Sequence, residues 1–163
     1  MAWQFNVLVV ANVTADSPEL LGALRERSAR EHCRFTLLVP APVGGSAGRE
    51  AAAARLERAL ARMHEAGLEA DGMVGDHDVM MAVHDAWDPR RYDDIVVATL
   101  PTGSSKWMQV DLPHRIGKLT SAVVRHVVAE PPAPPRRPVL HHEEPASLGL
   151  LTPLGALAPR RGR

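Results

Sequence analysis

Five strand-like runs recur along the chain, and each is separated from the next by a stretch with helical periodicity. The first and fourth contain FNVLVVA and IVVA, apolar stretches without alternation that are typical of strands buried on both faces of a parallel sheet. Because strands and helices alternate throughout, the pattern predicts an α/β domain: a five-stranded open parallel sheet with helices on both faces. The predicted strands are Phe5 to Ala11, Arg34 to Val39, Leu68 to Val74, Asp94 to Thr99 and Ala122 to Val128.

The stretches between these runs predict four helices with one apolar face each. Ser17 and Pro18 form a helix start, with a capping hydroxyl and a proline at the first helical position. The second helix is predicted over Arg49 to Ala66, after a flexible connector at Val43 to Gly48, with Gly67 as a left-handed C-terminal cap. The third spans Asp78 to Trp87. The fourth follows a cap at Asp111, with Leu112, Ile116 and Leu119 facing inward.

Composition limits the classes of function. Nineteen basic and nineteen acidic residues cancel, so no overall charge favours nucleic acid or a membrane surface as partner. No apolar run approaches the roughly 18 residues of a membrane helix, and the amino terminus lacks a basic secretion signal. The single cysteine, Cys33, excludes an internal disulfide. We therefore expect a soluble cytoplasmic protein that binds neither nucleic acid nor membrane.

The composition changes at Glu130. Positions 131–163 hold eight of the fourteen prolines and five arginines against two glutamates. Since proline interrupts helices and strand ladders, the sequence predicts a folded domain at 1–129 and a disordered, Pro/Arg-rich tail at 130–163. The apolar segment Ser147 to Leu157 could dock on this domain or on a partner protein; the alternative is a tail that contacts nothing specific.

The loop after the fourth strand is the leading candidate for a binding site. Parallel sheets bind ligands at the carboxyl ends of their strands, and this loop supplies hydroxyls, one glycine and one cation. Its backbone amides and side chains could hold an anion, while the alternative is an exposed loop whose small residues only permit turning. Trp107, just beyond it, could stack on a base, or it could pack on the sheet edge or in a dimer contact. The candidate residues are Thr99, Thr102, Gly103, Ser104, Ser105 and Lys106.

Other reactive side chains have simpler explanations. His77 and His84 lie seven residues apart on one predicted helix, but this spacing matches no known zinc arrangement, and Asp76 and Asp78 suit helix capping. Cys33 is more consistent with a small buried hydrophobe than with a nucleophile. The serines of the loop lack the Gly-x-Ser-x-Gly elbow of hydrolases. We therefore expect no metal site, no catalytic residues and no enzyme activity.

With these elements in place, the sequence from Phe5 to Val128 resembles the universal stress protein domain, of the adenine-nucleotide hydrolase-like group. The resemblance is carried by the first strand ending near Asn12, by the Gly75-Asp76 step, and by Asp94 to Val97 before a long loop and a helix. ATP-binding members have two spaced glycines after the fourth strand, followed nine residues later by Gly-Ser or Gly-Thr. Here Thr99 and Thr102 stand in the places of the two glycines, with Gly103 next to the second, and Leu112-Pro113 replaces the final pair.

The resemblance implies a small regulatory protein that binds ATP or another adenine nucleotide and forms a homodimer. It would place the phosphates over the 99–106 loop and the base near Asn12, Val13 and Thr14, where the family commonly has an acidic residue. Leu112-Pro113 favours a second hypothesis, because proline has no amide and leucine adds a side chain. In that hypothesis the protein has lost nucleotide binding and acts as a dimeric interaction module through its surface and its tail.

Overall fold

Strands and helices alternate strictly in the computed structural model of the protein, which describes residues 3–101, 103, 107 and 110–131. Among these residues there are five strands and four helices. In chain order they are β1 (Phe5–Val10), α1 (Pro18–Arg30), β2 (Cys33–Pro40), α2 (Gly45–Glu65), β3 (Glu69–Gly75), α3 (Val79–Ala86), β4 (Asp94–Thr99), α4 (Leu112–Thr120) and β5 (Val124–Val128).

The strands form one sheet in the order β3-β2-β1-β4-β5, and every neighbouring pair is parallel. β1 lies at the centre, where Val9 pairs with Leu37 of β2 and Val96 of β4. The predicted five-stranded parallel sheet is therefore confirmed. Four of the six residues of β1 and all six of β4 are buried, because helices cover both faces.

Two hydrophobic cores lie on opposite faces of this sheet. Val7 and Val9 of β1 point into the core that α1 and α2 cover, and Leu8 and Val10 point into the core that α3 and α4 cover. Successive side chains of a strand face opposite sides, so one apolar run supplies both cores. The prediction of helices on both faces is confirmed.

Local sequence signals set the helix ends where a side chain or a glycine acts directly. The Ser17 hydroxyl accepts from the Leu20 amide at 3.2 Å, and Gly67 has φ +77° after α2. The predicted flexible connector at Val43 to Gly48 is wrong in its last four residues, because α2 begins at Gly45. A Cβ at Gly48 would lie 2.3 Å from the carbonyl oxygen of Pro42, so glycine lets this first turn pack against the end of β2.

The start and the exposed face of α4 also differ from expectation. Asp111 precedes the helix with φ +49° and makes no side-chain capping bond. Leu112 and Ile116 are buried as predicted, but Leu119 is 43% exposed. Leu119 lies in the last turn of this nine-residue helix, after its two buried residues.

The sheet edge at β5 is only partly covered. The strand begins at Val124, two residues later than predicted, and Arg125, His126 and Val128 are exposed. No helix within the described ranges is both long enough and apolar enough to cross a membrane. The predicted tail lies almost entirely outside the described residues, so the domain boundary at 129/130 stays a prediction.

Candidate functional site

The carboxyl ends of β1 and β4 lie at the point where the order in which the strands are added to the sheet reverses. After β1 the chain continues to β2 on one side, whereas after β4 it continues to β5 on the other. The connections that follow the two strands therefore lead away from each other across the sheet. Open α/β sheets bind ligands at this position.

Thr14 fixes the loop after β1 against the end of β4. Thr14 is only 3% exposed, and its hydroxyl donates to the carbonyl oxygen of Ala98 at 3.0 Å. Within the loop, the amide of Ala15 donates to the carbonyl of Asn12, and the amide of Ser17 donates to that of Thr14. Thr14 therefore holds the loop after β1 in place beside the carboxyl end of β4.

Asn12 and Val13 form the outer part of the same loop. The Asn12 side chain is partly buried and accepts a hydrogen bond from Arg55 of α2 at 2.5 Å, which orients its amide group. Val13 is 50% exposed. Sequence reasoning missed Arg55, because its position on the predicted helix gave no sign that it faces the β1 loop.

Thr99 ends β4 and is paired with a residue that the sequence did not single out. Thr99 is 1% exposed, and its carbonyl oxygen accepts from the Ala129 amide at 2.8 Å. Its Oγ1 lies 2.7 Å from Nε2 of His126 on β5. The register pairs Val97 with His126 and Thr99 with Val128, so the two side chains are diagonal neighbours on one face. His126 is thus a further polar group at the carboxyl edge.

The loop after β4 is described only in part. Gly103 is exposed, and a Cβ added there would meet no atom within 4 Å. Trp107 is partly buried against the core on the α3 and α4 side, which favours packing over the stacking alternative. The remaining candidates Thr102, Ser104, Ser105 and Lys106 lie outside the described residues. Of the candidate residues, Thr14 thus lies in the loop after β1, and Thr99 is the last residue of β4.

A second cleft, of about 250 Å³, lies at the carboxyl ends of β2 and β3. Asp76 and His77 line it together with Arg49 of α2. Nδ1 of His77 is 2.9 Å from the Asp76 carboxylate, which also accepts from the Asp78 amide, and Asp78 caps α3 through the Met80 amide at 2.8 Å. The Asp76 carboxylate thus stabilises the turn before α3, and the Asp78 carboxylate caps the helix. Across the described part of the chain, no group of three or more metal-ligating side chains occurs.

Cys33 begins β2 and is 2% exposed. Burial raises the pKa of its thiol, which keeps the sulfur in the unreactive neutral form. The expectation of a small buried hydrophobe is confirmed.

Comparison with solved structures places this geometry in a known fold. A universal stress protein in complex with cAMP matches with a TM-score of 0.54 and 16% identity, over 76% of this chain and 96% of that chain. A universal stress protein from Archaeoglobus fulgidus in complex with dAMP matches with a TM-score of 0.53 and 15% identity, over 78% and 99% of the two chains. A second structure of a universal stress protein from Archaeoglobus fulgidus matches with a TM-score of 0.53 and 16% identity, over 76% and 93%.

No profile of a protein family matches the sequence, and no curated protein matches it. The described residues therefore have the α/β fold of the universal stress proteins, recognised by the course of the chain rather than by sequence identity.

Proposed function

We propose that this protein is a small, non-catalytic regulatory protein of the universal stress type that binds an adenine nucleotide at the carboxyl ends of β1 and β4. The observation that carries the proposal is the hydrogen bond from Thr14 to Ala98, which fixes the loop after β1 against β4 at the switch point of the sheet. A loop that is already fixed loses little conformational entropy when a ligand binds to it.

The two loops offer different chemistry to the two ends of a nucleotide. The β1 loop supplies Asn12, held by Arg55, and the exposed Val13, which suit a polar and an apolar contact with the nucleoside. The loop after β4 contains Gly103 and Lys106, which suit backbone and ionic contacts with the phosphates. The similar structures in complex with cAMP and dAMP support an adenine nucleotide as the ligand class.

The start of α4 argues for a phosphate contact that differs from the family pattern. Leu112 is fully buried and Pro113 follows it, so this turn offers a buried side chain and an imide where the pattern has Gly-Ser. The 102–106 segment must then supply more of the phosphate binding. This shift makes the affinity sensitive to substitutions in that segment.

Calorimetric titration with ATP, ADP and AMP tests the proposal, together with mass spectrometry of the native protein for a co-purified nucleotide. We expect Lys106→Ala to weaken binding in a salt-dependent way, since an exposed ionic contact is screened within roughly 8 Å at physiological ionic strength. Gly103→Val should abolish binding at any salt by blocking the backbone. Both variants should keep the unliganded stability within about 1 kcal/mol.

Absence of heat and of a thermal shift with every nucleotide on the wild-type protein would refute nucleotide binding. The second candidate function, a dimeric interaction module, would then lead. It is favoured by the exposed edge strand β5 and by Leu112-Pro113. In that case the protein would act as a cytoplasmic homodimer, with a protein partner reached through its surface or its tail.

A further inference from the structure

A cleft of about 410 Å³ lies at the amino-terminal ends of β1 and β4, at the opposite end of these strands from the candidate nucleotide site. It is lined by residues at the start of β1 and before it, among them Trp3, and by the turn that precedes β4, which contains Arg90 and Arg91. Its volume is in the usual range for a ligand-binding cleft. The proposed nucleotide binding uses none of these residues.

Trp3 gives this cleft a large uncovered apolar surface. Trp87 and Trp107 pack against the core on the α3 and α4 side, whereas Trp3 packs against neither core and is 72% exposed. An indole in water is a favourable surface for a partner to cover, because burying an aromatic ring removes much apolar area from solvent.

Arg90 and Arg91 give the same cleft two available positive charges. Both are exposed, and within the described part of the chain neither forms an ion pair. The Arg91 guanidinium carbon lies 5.3 Å from the centre of the Tyr92 ring, and that ring stacks on Trp87 at 6.1 Å. This contact orients Arg91 without neutralising it, so both guanidinium groups can pair with a carboxylate or phosphate.

The turn that carries the two arginines is fixed by hydrogen bonds. The Asp88 carboxylate accepts from the Arg90 amide at 2.9 Å, and the Asp88 carbonyl accepts from the Arg91 amide at 2.9 Å. Asp93 then bonds twice to Asn6 of β1, through its amide and through its carboxylate, both at 2.8 Å. Since the backbone is already ordered, little conformational entropy is lost there when a partner binds.

We propose that this cleft binds an acidic segment of a partner protein. Carboxylates of the segment pair with Arg90 and Arg91, and an aromatic or aliphatic side chain packs on Trp3. Tryptophan, tyrosine and arginine are the residues that most often dominate the binding energy of protein interfaces. The inference does not rest on the proposed nucleotide binding, because the two sites lie at opposite ends of the strands.

The acidic groups around the cleft favour a peptide over a nucleic acid. Asp93 also lines it, and Gln4, another lining residue, donates to Glu69 at 2.9 Å. A duplex nucleic acid carries about one phosphate charge per 1.7 Å of its length and would meet these carboxylates as well as the arginines. A peptide can place single carboxylates at the two arginines, and the chain, with no net charge, supplies no wider positive field.

The experiment selects a random dodecapeptide library, displayed on phage, against the immobilised full-length protein. The wild type should select peptides that combine Asp or Glu with an aromatic or large aliphatic residue. A synthetic peptide of the consensus is then titrated by calorimetry, and its affinity should decrease as salt is added. Trp3→Ser and the double variant Arg90→Gln/Arg91→Gln should each weaken binding about tenfold or more.

Arg58→Gln is the matched control, because Arg58 is an exposed arginine of α2 that does not line the cleft. It should bind the peptide as wild type does, and all variants should keep the thermal unfolding midpoint of wild type, since the substituted side chains are exposed. A selection without an acidic consensus, or a consensus peptide bound equally by Arg90→Gln/Arg91→Gln, would overturn the proposal. Binding of a labelled oligothymidylate that this double variant loses would also overturn it, in favour of a nucleic-acid site.

Discussion

Arg27 of α1 and Asp94 at the start of β4 form an ion pair on the sheet face that α1 covers. The two side chains are each 10% exposed and approach to 2.6 Å, and Arg125 of β5 lies 3.8 Å from the same carboxylate oxygen. A charge in such a position is tolerable because its partner is present. The pair therefore fixes how α1 sits on the sheet, close to the edge that β5 forms.

Asp94→Asn should destabilise the protein by on the order of 3 kcal/mol, because it removes the buried counter-charge of Arg27 and leaves only the ion pair with the more exposed Glu31 at 3.3 Å. Urea unfolding followed by circular dichroism measures the change in free energy. The matched control is Glu26→Gln, which breaks an ion pair with Arg30 whose side chains are both 68% exposed. That substitution should cost less than about 1 kcal/mol, and equal losses in the two variants would contradict the buried role of Asp94.

At the scale of elements, the fit of α2 on β3 depends on a residue without a side chain. A Cβ at Gly72 would lie 2.5 Å from Leu56 Cδ1 and 2.6 Å from the backbone carbonyl oxygen of Leu37. Glycine in the middle of a strand is normally unfavourable, so its presence here reflects the close approach of the helix and the neighbouring strand.

Gly72→Ala should destabilise the protein by about 1 to 3 kcal/mol, since the added methyl group has no room. Gly22→Ala in α1 is the matched control, because a Cβ there meets nothing within 4 Å. It should stabilise the protein by about 0.5 to 1 kcal/mol through the better helix propensity of alanine. Thermal unfolding of both variants tests whether their stabilities change in opposite directions. A stabilised Gly72→Ala protein would show that α2 can move away from the sheet.

At the scale of the whole molecule, the described core ends just after β5. Ala129 is fully buried and its amide bonds to Thr99, whereas Glu130 and Pro131 are exposed. Deleting residues 131–163 should therefore leave a domain that unfolds cooperatively, within about 1 kcal/mol of the full chain. Differential scanning calorimetry of both proteins is the test. Loss of the cooperative transition would mean that the tail is structural.

The edge at β5 predicts a homodimer. The carbonyl of Val123 and the amide of Ala129 both bond to β4, so the alternate residues from Val124 to Val128 turn their backbone groups to the free edge. Such an edge favours pairing with another strand, and a second copy satisfies it symmetrically.

Sedimentation at tens of micromolar should show a dimer, a concentration well above ordinary obligate-dimer dissociation constants. Val128→Lys should shift it toward monomer, because a charge on an edge strand opposes pairing. Val43→Lys is the control, since Val43 is 87% exposed and lies before α2. A monomeric wild-type protein would contradict the prediction.

Local signals in the sequence determined the elements and the class of fold. Apolar runs such as Ile95 to Ala98 predicted buried parallel strands, and Ser17, Pro18 and Gly67 set helix ends through their own hydroxyl, ring or backbone freedom. These features act within a few residues of the chain, so they are readable without the fold. The same signals predicted a candidate site in the loops after β1 and β4. The ends of the strands can be read from the sequence, and parallel sheets bind ligands at the carboxyl ends of their strands.

Only the tertiary structure decided which side chains meet around the candidate site and which charges are buried. Asn12 and Arg55 are 43 residues apart in the chain, Thr14 and Ala98 are 84 apart, and Thr99 and His126 are 27 apart. Arg27 and Asp94 meet across a helix and a strand in the same way. The start of α2 at Gly45 also depended on contact with Pro42 rather than on propensity. Such pairings arise from strand order and helix packing, which place distant positions side by side and which no local pattern encodes.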